Sequence, residues 1–367
     1  MVYYTCDQLL YLINDMNMTT AIYPVDFSLL NHKVHPDQND FFEFSTALVQ
    51  ISSIISEKIT KQIKNFQPDV IVYDSFAYWG KIICKKIDVF GVCSITHYPF
   101  TELDFTVNSD LFIRKILKDK VTDEKKQYYM HYYKSFSKYL SKKYLNKDCF
   151  AIWDIICGND TCNLVYTCRE LYNRNPLRDD IYHFVGPLIK QEQKEKEDID
   201  IYVSFGSMLS EKYSIYKTCI QALENMGLKS LISVGNSNRI KNTSPHIKII
   251  NYADQIAALQ SCTVFISHGG FNSVNEALYY GVPLIVMPFA TDAYFTAEEI
   301  QAIPLGICIE PSVQASQLCF CIERVKRDSE IQKNVLNYRN ILNRMNGLED
   351  SVKLIVNKGK KELYSCR

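Results

Sequence analysis

Three things are missing from this sequence, and each absence removes a class of function. Net charge is the first, since 41 Lys and Arg balance 41 Asp and Glu. No global field therefore draws the chain to nucleic acid or to an anionic membrane. Long apolar runs are the second. None reaches the ~18 residues that a membrane-spanning helix needs. The first residues, MVYYTCDQLL, also lack the basic-then-apolar order of a secretory signal. The expectation is a soluble, cytoplasmic protein without a transmembrane segment. Metal-ligand spacing is the third. Thirteen cysteines run from Cys6 to Cys366 without a C-x-x-C pair. The loose group Cys149, Cys157, Cys162 and Cys168 does not have zinc-site spacing. The cysteines read as reduced thiols, mostly of the core. Asp198-Ile199-Asp200 enters a strand, so it reads as a polar strand start and not as a cation site.

What is present is a large core. The chain is 47% apolar over 367 residues, enough for two domains of ordinary size. In the C-terminal half, short apolar runs alternate with helical periods. Strands are expected at Ile201–Phe205, Leu231–Val234, Ile247–Ile250, Val264–Ser267 and Pro283–Met287, and a helix near Ser214–Asn225. That rhythm predicts a parallel, doubly wound α/β sheet, which binds ligands beyond its strand C-termini. The N-terminal half has the same rhythm more loosely: a strand over Pro68–Tyr73 ending at Asp74, a helix over Tyr78–Lys86, and strands at Gly91–Ile95, Asn163–Thr167 and Tyr182–Val185. The expected division is an N-terminal domain over 1–189, a charged linker over 190–198, a C-terminal domain over 199–350, and a last segment, 351–367, crossing back as a helix.

The most informative stretch is VFISHGGFNSVNEALYYGVPLIVMPFATDAYFT, Val264 to Thr296. An apolar strand runs into His268-Gly269-Gly270, a helix follows, Gly281 ends it, and a second strand begins at Pro283. A glycine turn between a strand and a helix N-terminus is an anion site, because free N–H groups and the helix dipole both favour negative charge there. His268, the Gly269 and Gly270 amides, Asn272 and Ser273 are the candidate hydrogen-bond donors to a phosphate. Gly206 and Ser207 end another strand and can face the same ligand. Glu276, one turn further along the helix, can accept from the vicinal hydroxyls of a ribose.

This stretch resembles the nucleotide-sugar signature of the UDP-glycosyltransferase family, in its macrolide-glycosyltransferase-like branch. The family pattern is His-Gly-Gly-x-Asn-Ser-x-x-Glu-Ala, then Gly-Val-Pro, then Pro-x-x-x-Asp, and every one of those residues is here. PDVIVYDSFAYWG, NLVYTCRE and HFVGPLI follow the family's order in the N-terminal half, so the likeness covers nearly the whole chain and is strong in the C-terminal half. It implies the GT-B arrangement: two doubly wound, Rossmann-like domains facing a cleft. It also implies that Tyr252 stacks on the base and Gln255 reads its edge, with Asp254 where the family has proline. Asp292 is implied to hold a sugar hydroxyl, while Ala293 stands where the family has a glutamine, removing one sugar contact. The implied co-substrate is a UDP- or TDP-sugar, its diphosphate being the phosphate held by the donors around His268, with no cofactor and no metal.

One requirement of transfer is not met by the resemblance. The family's base is a histidine after the first strand, relayed by a carboxylate that matches Asp74. Here the match begins at what looks like the second strand, Val2-Tyr3-Tyr4-Thr5. Asp74 is thus an orphan relay carboxylate. The pattern implies a strand, a His-bearing loop and a helix within roughly 30 residues ahead of Met1, and poor transfer by the chain as it stands. His32 and His35 lie in the wrong place. His97 follows a strand and can face the cleft, but matches no family base. Three readings stay open: a glycosyltransferase moving a hexose to a small lipophilic acceptor, a non-catalytic nucleotide-sugar-binding protein, and a nucleotide-sugar 2-epimerase of the same fold. Arg114–Lys147 carries eleven Lys and Arg against three Asp and Glu, interleaved with aromatics. It reads as an amphipathic helix with a solvated basic face, with peripheral membrane contact as the sharper alternative.

Overall fold

The computed structural model of the chain describes residues 1–13, 18–25, 27, 41–145, 150–158, 160–172, 177–189, 193–196, 198–206, 213–235, 240, 244–289 and 291–365. In the N-terminal half, β1 (Val2–Thr5) pairs in parallel with β2 (Thr19–Ile22). A separate parallel sheet holds β3 (Val70–Asp74), β4 (Phe90–Ile95), β5 (Asn163–Val165) and β6 (Tyr182–Phe184) in sequential order. No described strand joins the two sheets, and Val72 on β3 is 48% exposed, as befits an edge strand.

Helix α1 (Phe41–Phe66) packs along α2 (Tyr78–Ile87). Leu48, Ile51, Ile55, Ile59 and Ile63 recur at helical spacing on its buried face. Three serines share that face, and their hydroxyls donate to the carbonyls of Phe41, Leu48 and Ser53 at 2.7–2.9 Å. This is how a polar group survives in a core.

The basic segment is not one helix. A wide helical turn over Phe112–Ile116 comes first, and α3 (Asp123–Tyr144) starts afresh where Thr122 caps it, accepting the Lys125 N–H at 3.2 Å. Only Tyr133, Ser137 and Leu140 are buried along α3. Tyr128, Tyr132 and Phe136 instead stack on one another at 6.0 and 5.8 Å. Lys125 covers the outer ring of Tyr128, and Lys143 that of Tyr139. The aromatics pack partly inward and partly in a ladder along the surface.

The C-terminal half holds β7 (Ile201–Ser204), α4 (Tyr213–Met226), β8 (Ser230–Ser233), β9 (Ile247–Ile250), α5 (Gln255–Ser261), β10 (Val264–Ser267), α6 (Phe271–Tyr280), β11 (Leu284–Val286), α7 (Thr291–Ala302), β12 (Gly306–Cys308), α8 (Ala315–Arg327), α9 (Ser329–Leu342) and α10 (Gly347–Ser365). Its six described strands are all parallel, in the order β12-β11-β10-β7-β8-β9. All four residues of β10 are buried, which is why this strand reads as an unbroken apolar run and not as an alternation. The winding reverses between β7 and β10.

The halves are fastened together. Phe271 and Phe295, from the C-terminal half, belong to the N-terminal core. Phe295 meets Tyr98 and Phe100 at ring distances of 5.4 and 4.8 Å. Tyr98 donates its hydroxyl to Glu299 at 2.8 Å, and Thr167 donates to Asn275 Oδ1. Helix α10 returns to the N-terminal sheet, where Leu354 and Ile355 pack with Val92, Leu164 and Val185. Replacing Tyr98 by phenylalanine removes a buried hydrogen bond to a carboxylate. The Tyr98→Phe protein should lose about 1.5–3 kcal/mol of stability in urea unfolding, and an unchanged midpoint would show that this bond does not fasten the halves.

Candidate functional site

A sheet that reverses its winding opens a crevice beyond the strand ends at the reversal. Here that point lies between β7 and β10, which run side by side with Ser204 opposite Ser267. Gly206 follows β7 and His268 follows β10. A Cβ on Gly206 would come within 3.2 Å of His268 Cε1, so the two loops touch. Gly269 has φ +88°, a conformation that a side chain would strain. A Cβ on Gly270 would fall 2.7 Å from His268 Nε2, so the imidazole occupies the space a side chain would need.

The His268 ring lies over Phe289 at 6.1 Å, nearly parallel. Among the described residues its buried Nδ1 has no hydrogen-bond partner. Burial lowers its pKa, and the Asp292 carboxylate pulls it back up. The turn therefore presents an imidazole with one nitrogen to spare.

Gly270 is the N-cap of α6, and no side chain caps that end. The first N–H groups of a helix have no intrahelical acceptor, so this end is open to an anion. One expected donor is not available: the Gly269 N–H donates to Ser267 Oγ at 3.2 Å, because the positive-φ turn folds the amide back onto the strand. Asn272 is exposed at the helix start. Ser273 is engaged by Gln255, whose Nε2 donates to its hydroxyl at 3.1 Å. Ser207, His32 and His35 lie outside the described residues.

Gln255 Nε2 also donates to Glu276, and Tyr202 Oη donates to Gln255 Oε1 at 3.4 Å. Burial raises the Glu276 pKa and the Gln255 bond lowers it. Gln255, Ser273 and Glu276 thus form one polar group beside the helix end, with Tyr252 62% exposed nearby in sequence. Asp254 is the N-cap of α5. It accepts the Ala257 N–H at 3.1 Å and meets Lys194 at 3.5 Å. The loop that lacks a proline is held by a cap and an ion pair instead.

Across the cleft, Asp74 closes β3. It is not orphaned as a hydrogen-bond acceptor: Thr96 donates to Oδ2 at 2.8 Å and the Phe76 N–H to Oδ1 at 2.9 Å. His97, the residue after Thr96, is 5% exposed. Asp292 stands in the first turn of α7 and acts electrostatically on both His268 and His97. Asp198 and Asp200 are taken up by Lys229, through its ammonium and its backbone N–H respectively.

Sequence reasoning missed the residues that join the halves: Tyr98, Thr167, Asn275, Phe295 and Glu299. One signal was available. Asn275 lies among Phe271, Val274, Ala277 and Leu278 on the buried face of α6, and a polar residue on such a face has a partner to find.

Residues 230–342 match the family described as erythromycin biosynthesis protein CIII-like, C-terminal domain. The NDP-glycosyltransferase YjiC of Bacillus subtilis (strain 168) is 26% identical over 315 residues, covering 83% of this chain and 76% of that protein. The demethyllactenocin mycarosyltransferase of Streptomyces fradiae is 26% identical over 195 residues, covering 50% of this chain and 42% of that protein. The crystal structure of CalG4, the calicheamicin glycosyltransferase, superposes with a TM-score of 0.75 at 18% identity, covering 97% of this chain and 90% of that one. The signature turn at the strand reversal, the family match over residues 230–342 and the shared GT-B fold agree: this chain is similar to UDP-glycosyltransferases of the macrolide-glycosyltransferase-like branch, and is a glycosyltransferase.

Proposed function

We propose that the protein transfers a hexose from a UDP- or TDP-sugar to a hydroxyl of a small lipophilic acceptor, without a metal. One observation carries this reading: the uncapped end of α6 lies beside both His268 and the Gln255–Ser273–Glu276 group. A diphosphate at the helix end would have its ribose near Glu276 and its base near Tyr252 and Gln255. When the sugar C1–O bond breaks, its electron pair passes to the terminal phosphate. The α6 N–H groups and His268 meet that charge where it grows. The acceptor side suits an apolar molecule, since Phe76 and Phe100 flank His97 and Phe44 packs in turn on Phe76. A cytoplasmic setting is supported by eleven free thiols among the described residues. The second reading, a nucleotide-sugar-binding protein without transfer, is favoured by Asp74, whose described partners are Thr96 and Phe76.

The sugar contact expected to be missing at Ala293 has a packing reason. Ala293 is fully buried, with its carbonyl 3.5 Å and its Cβ 3.8 Å from where a Cβ on Gly269 would sit. Glutamine would have to displace the signature turn itself.

Three outcomes follow. The native chain should bind UDP or TDP in calorimetry, and His268→Ala should weaken that binding by about 1–3 kcal/mol. No binding by the native chain would end the donor-site reading. Glu276→Gln should weaken UDP by a similar amount while leaving inorganic pyrophosphate unaffected, because only the nucleotide has a ribose; equal loss for both would move Glu276 out of the ribose site. Ala293→Gln should overpack the turn and cost about 1–3 kcal/mol in thermal unfolding. An unchanged melting temperature would show that the side chain has room to reach the cleft.

A further inference from the structure

Glycosyl transfer needs a group that takes a proton from the acceptor, and Asp74, the carboxylate that matches the family's relay, already accepts from Thr96 and the Phe76 N–H. His97 lies two residues beyond the end of β4, the strand paired with β3 so that Asp74 stands opposite Ser94. Its Nδ1–H donates to the Tyr98 carbonyl oxygen at 2.7 Å. A carbonyl can only accept, so the proton is on Nδ1 and Nε2 carries the lone pair. That Nε2 is buried and, among the described residues, has no hydrogen-bond partner. Buried nitrogens are rarely left so, because the lost solvation is not returned. The ring cannot easily turn away, being packed on Phe76 at 4.7 Å and Phe100 at 5.7 Å.

The charges that act on it come from both sides of the cleft: Asp292 on α7 and Asp74 on β3. His268 shares the same Asp292. Burial outweighs both carboxylates and lowers the His97 pKa, so the ring is neutral at pH 7.

We propose that His97 Nε2 is the general base of this enzyme, an inference that rests on the transferase reading above. The acceptor O–H donates to Nε2. As the proton moves to Nε2, the acceptor oxygen forms a bond to sugar C1. The C1–O bond to the diphosphate breaks, and its electron pair leaves on the terminal phosphate oxygen. The products are the glycoside, the nucleoside diphosphate and an imidazolium, which returns its proton to water. Asp74 and Asp292 stabilise that cation from opposite sides. Asp74 is then a positioning group acting through the loop it anchors, by its bond with Thr96.

The test uses the full chain with UDP-glucose and TDP-glucose, and two acceptor probes: a nitrophenol already largely ionised at pH 8, and an aliphatic alcohol. His97→Asn keeps a donor for the Tyr98 carbonyl and removes the base, and His97→Ala is the second variant. Both should bind UDP as the native chain does. With the alcohol, kcat should fall roughly 10²–10⁴-fold, and with the nitrophenol far less, since no proton has to be taken. The native rate with the alcohol should hold through pH 7 and fall as acid protonates Nε2, below the ordinary imidazole range, and this limb should vanish in the variants. Equal losses on both acceptors, or no loss, overturn the proposal. So does a native chain that binds UDP and transfers to neither probe, which leaves the donor site standing. A native chain that binds no UDP overturns both readings.

Discussion

The site depends on the pairing of β7 with β10. These strands are far apart in sequence, yet they lie side by side because the sheet grows outward in both directions from β7. At that seam the following segments diverge, so backbone that would otherwise be covered by a crossover stays open. Gly206 and His268 meet there, and α6 starts there. Helix α5 packs against α6, which brings Gln255 to Ser273 and Glu276. Each donor assigned to the nucleotide sugar is therefore placed by one sheet order and not by a dedicated loop.

Much of this order was legible in the sequence. Strands β7 to β11 are apolar runs closed by glycine, proline or polar turns, and the helix between β10 and β11 is bounded by Gly270 and Gly281. Such signals are local and survive without tertiary context. The rest depended on partners distant in the chain. Phe271 and Phe295 join the core of the other half, which no local pattern in the sequence reveals. Asp254 read only as the residue in place of proline, and it is the Ala257 amide that shows it to be a cap, with Lys194 paired to it. The Gly269 amide looked free because nothing in the sequence reveals that Ser267 turns its hydroxyl toward it. His97 could be placed after a strand, but its tautomer is set by a carbonyl whose direction is a property of the folded loop.

Charge at the cleft is arranged economically. Two imidazoles from opposite halves are both pushed toward neutrality by burial, and one carboxylate, Asp292, pulls both back. On the proposed mechanism, positive charge develops on His97 only as the acceptor gives up its proton, which is when electrostatic stabilisation counts most.

Tyr98 joins two jobs that are usually separate. Its backbone carbonyl fixes the proton of the neighbouring imidazole, while its phenol reaches across to Glu299 on the opposite half. Separation of the halves would release the phenol and loosen the stretch of backbone that carries the carbonyl. An opened cleft would then hold a donor sugar but no oriented lone pair, so that water entering with the sugar finds nothing to activate it. The same residue that closes the two halves would in this way protect the activated sugar from wasteful hydrolysis until an acceptor is enclosed.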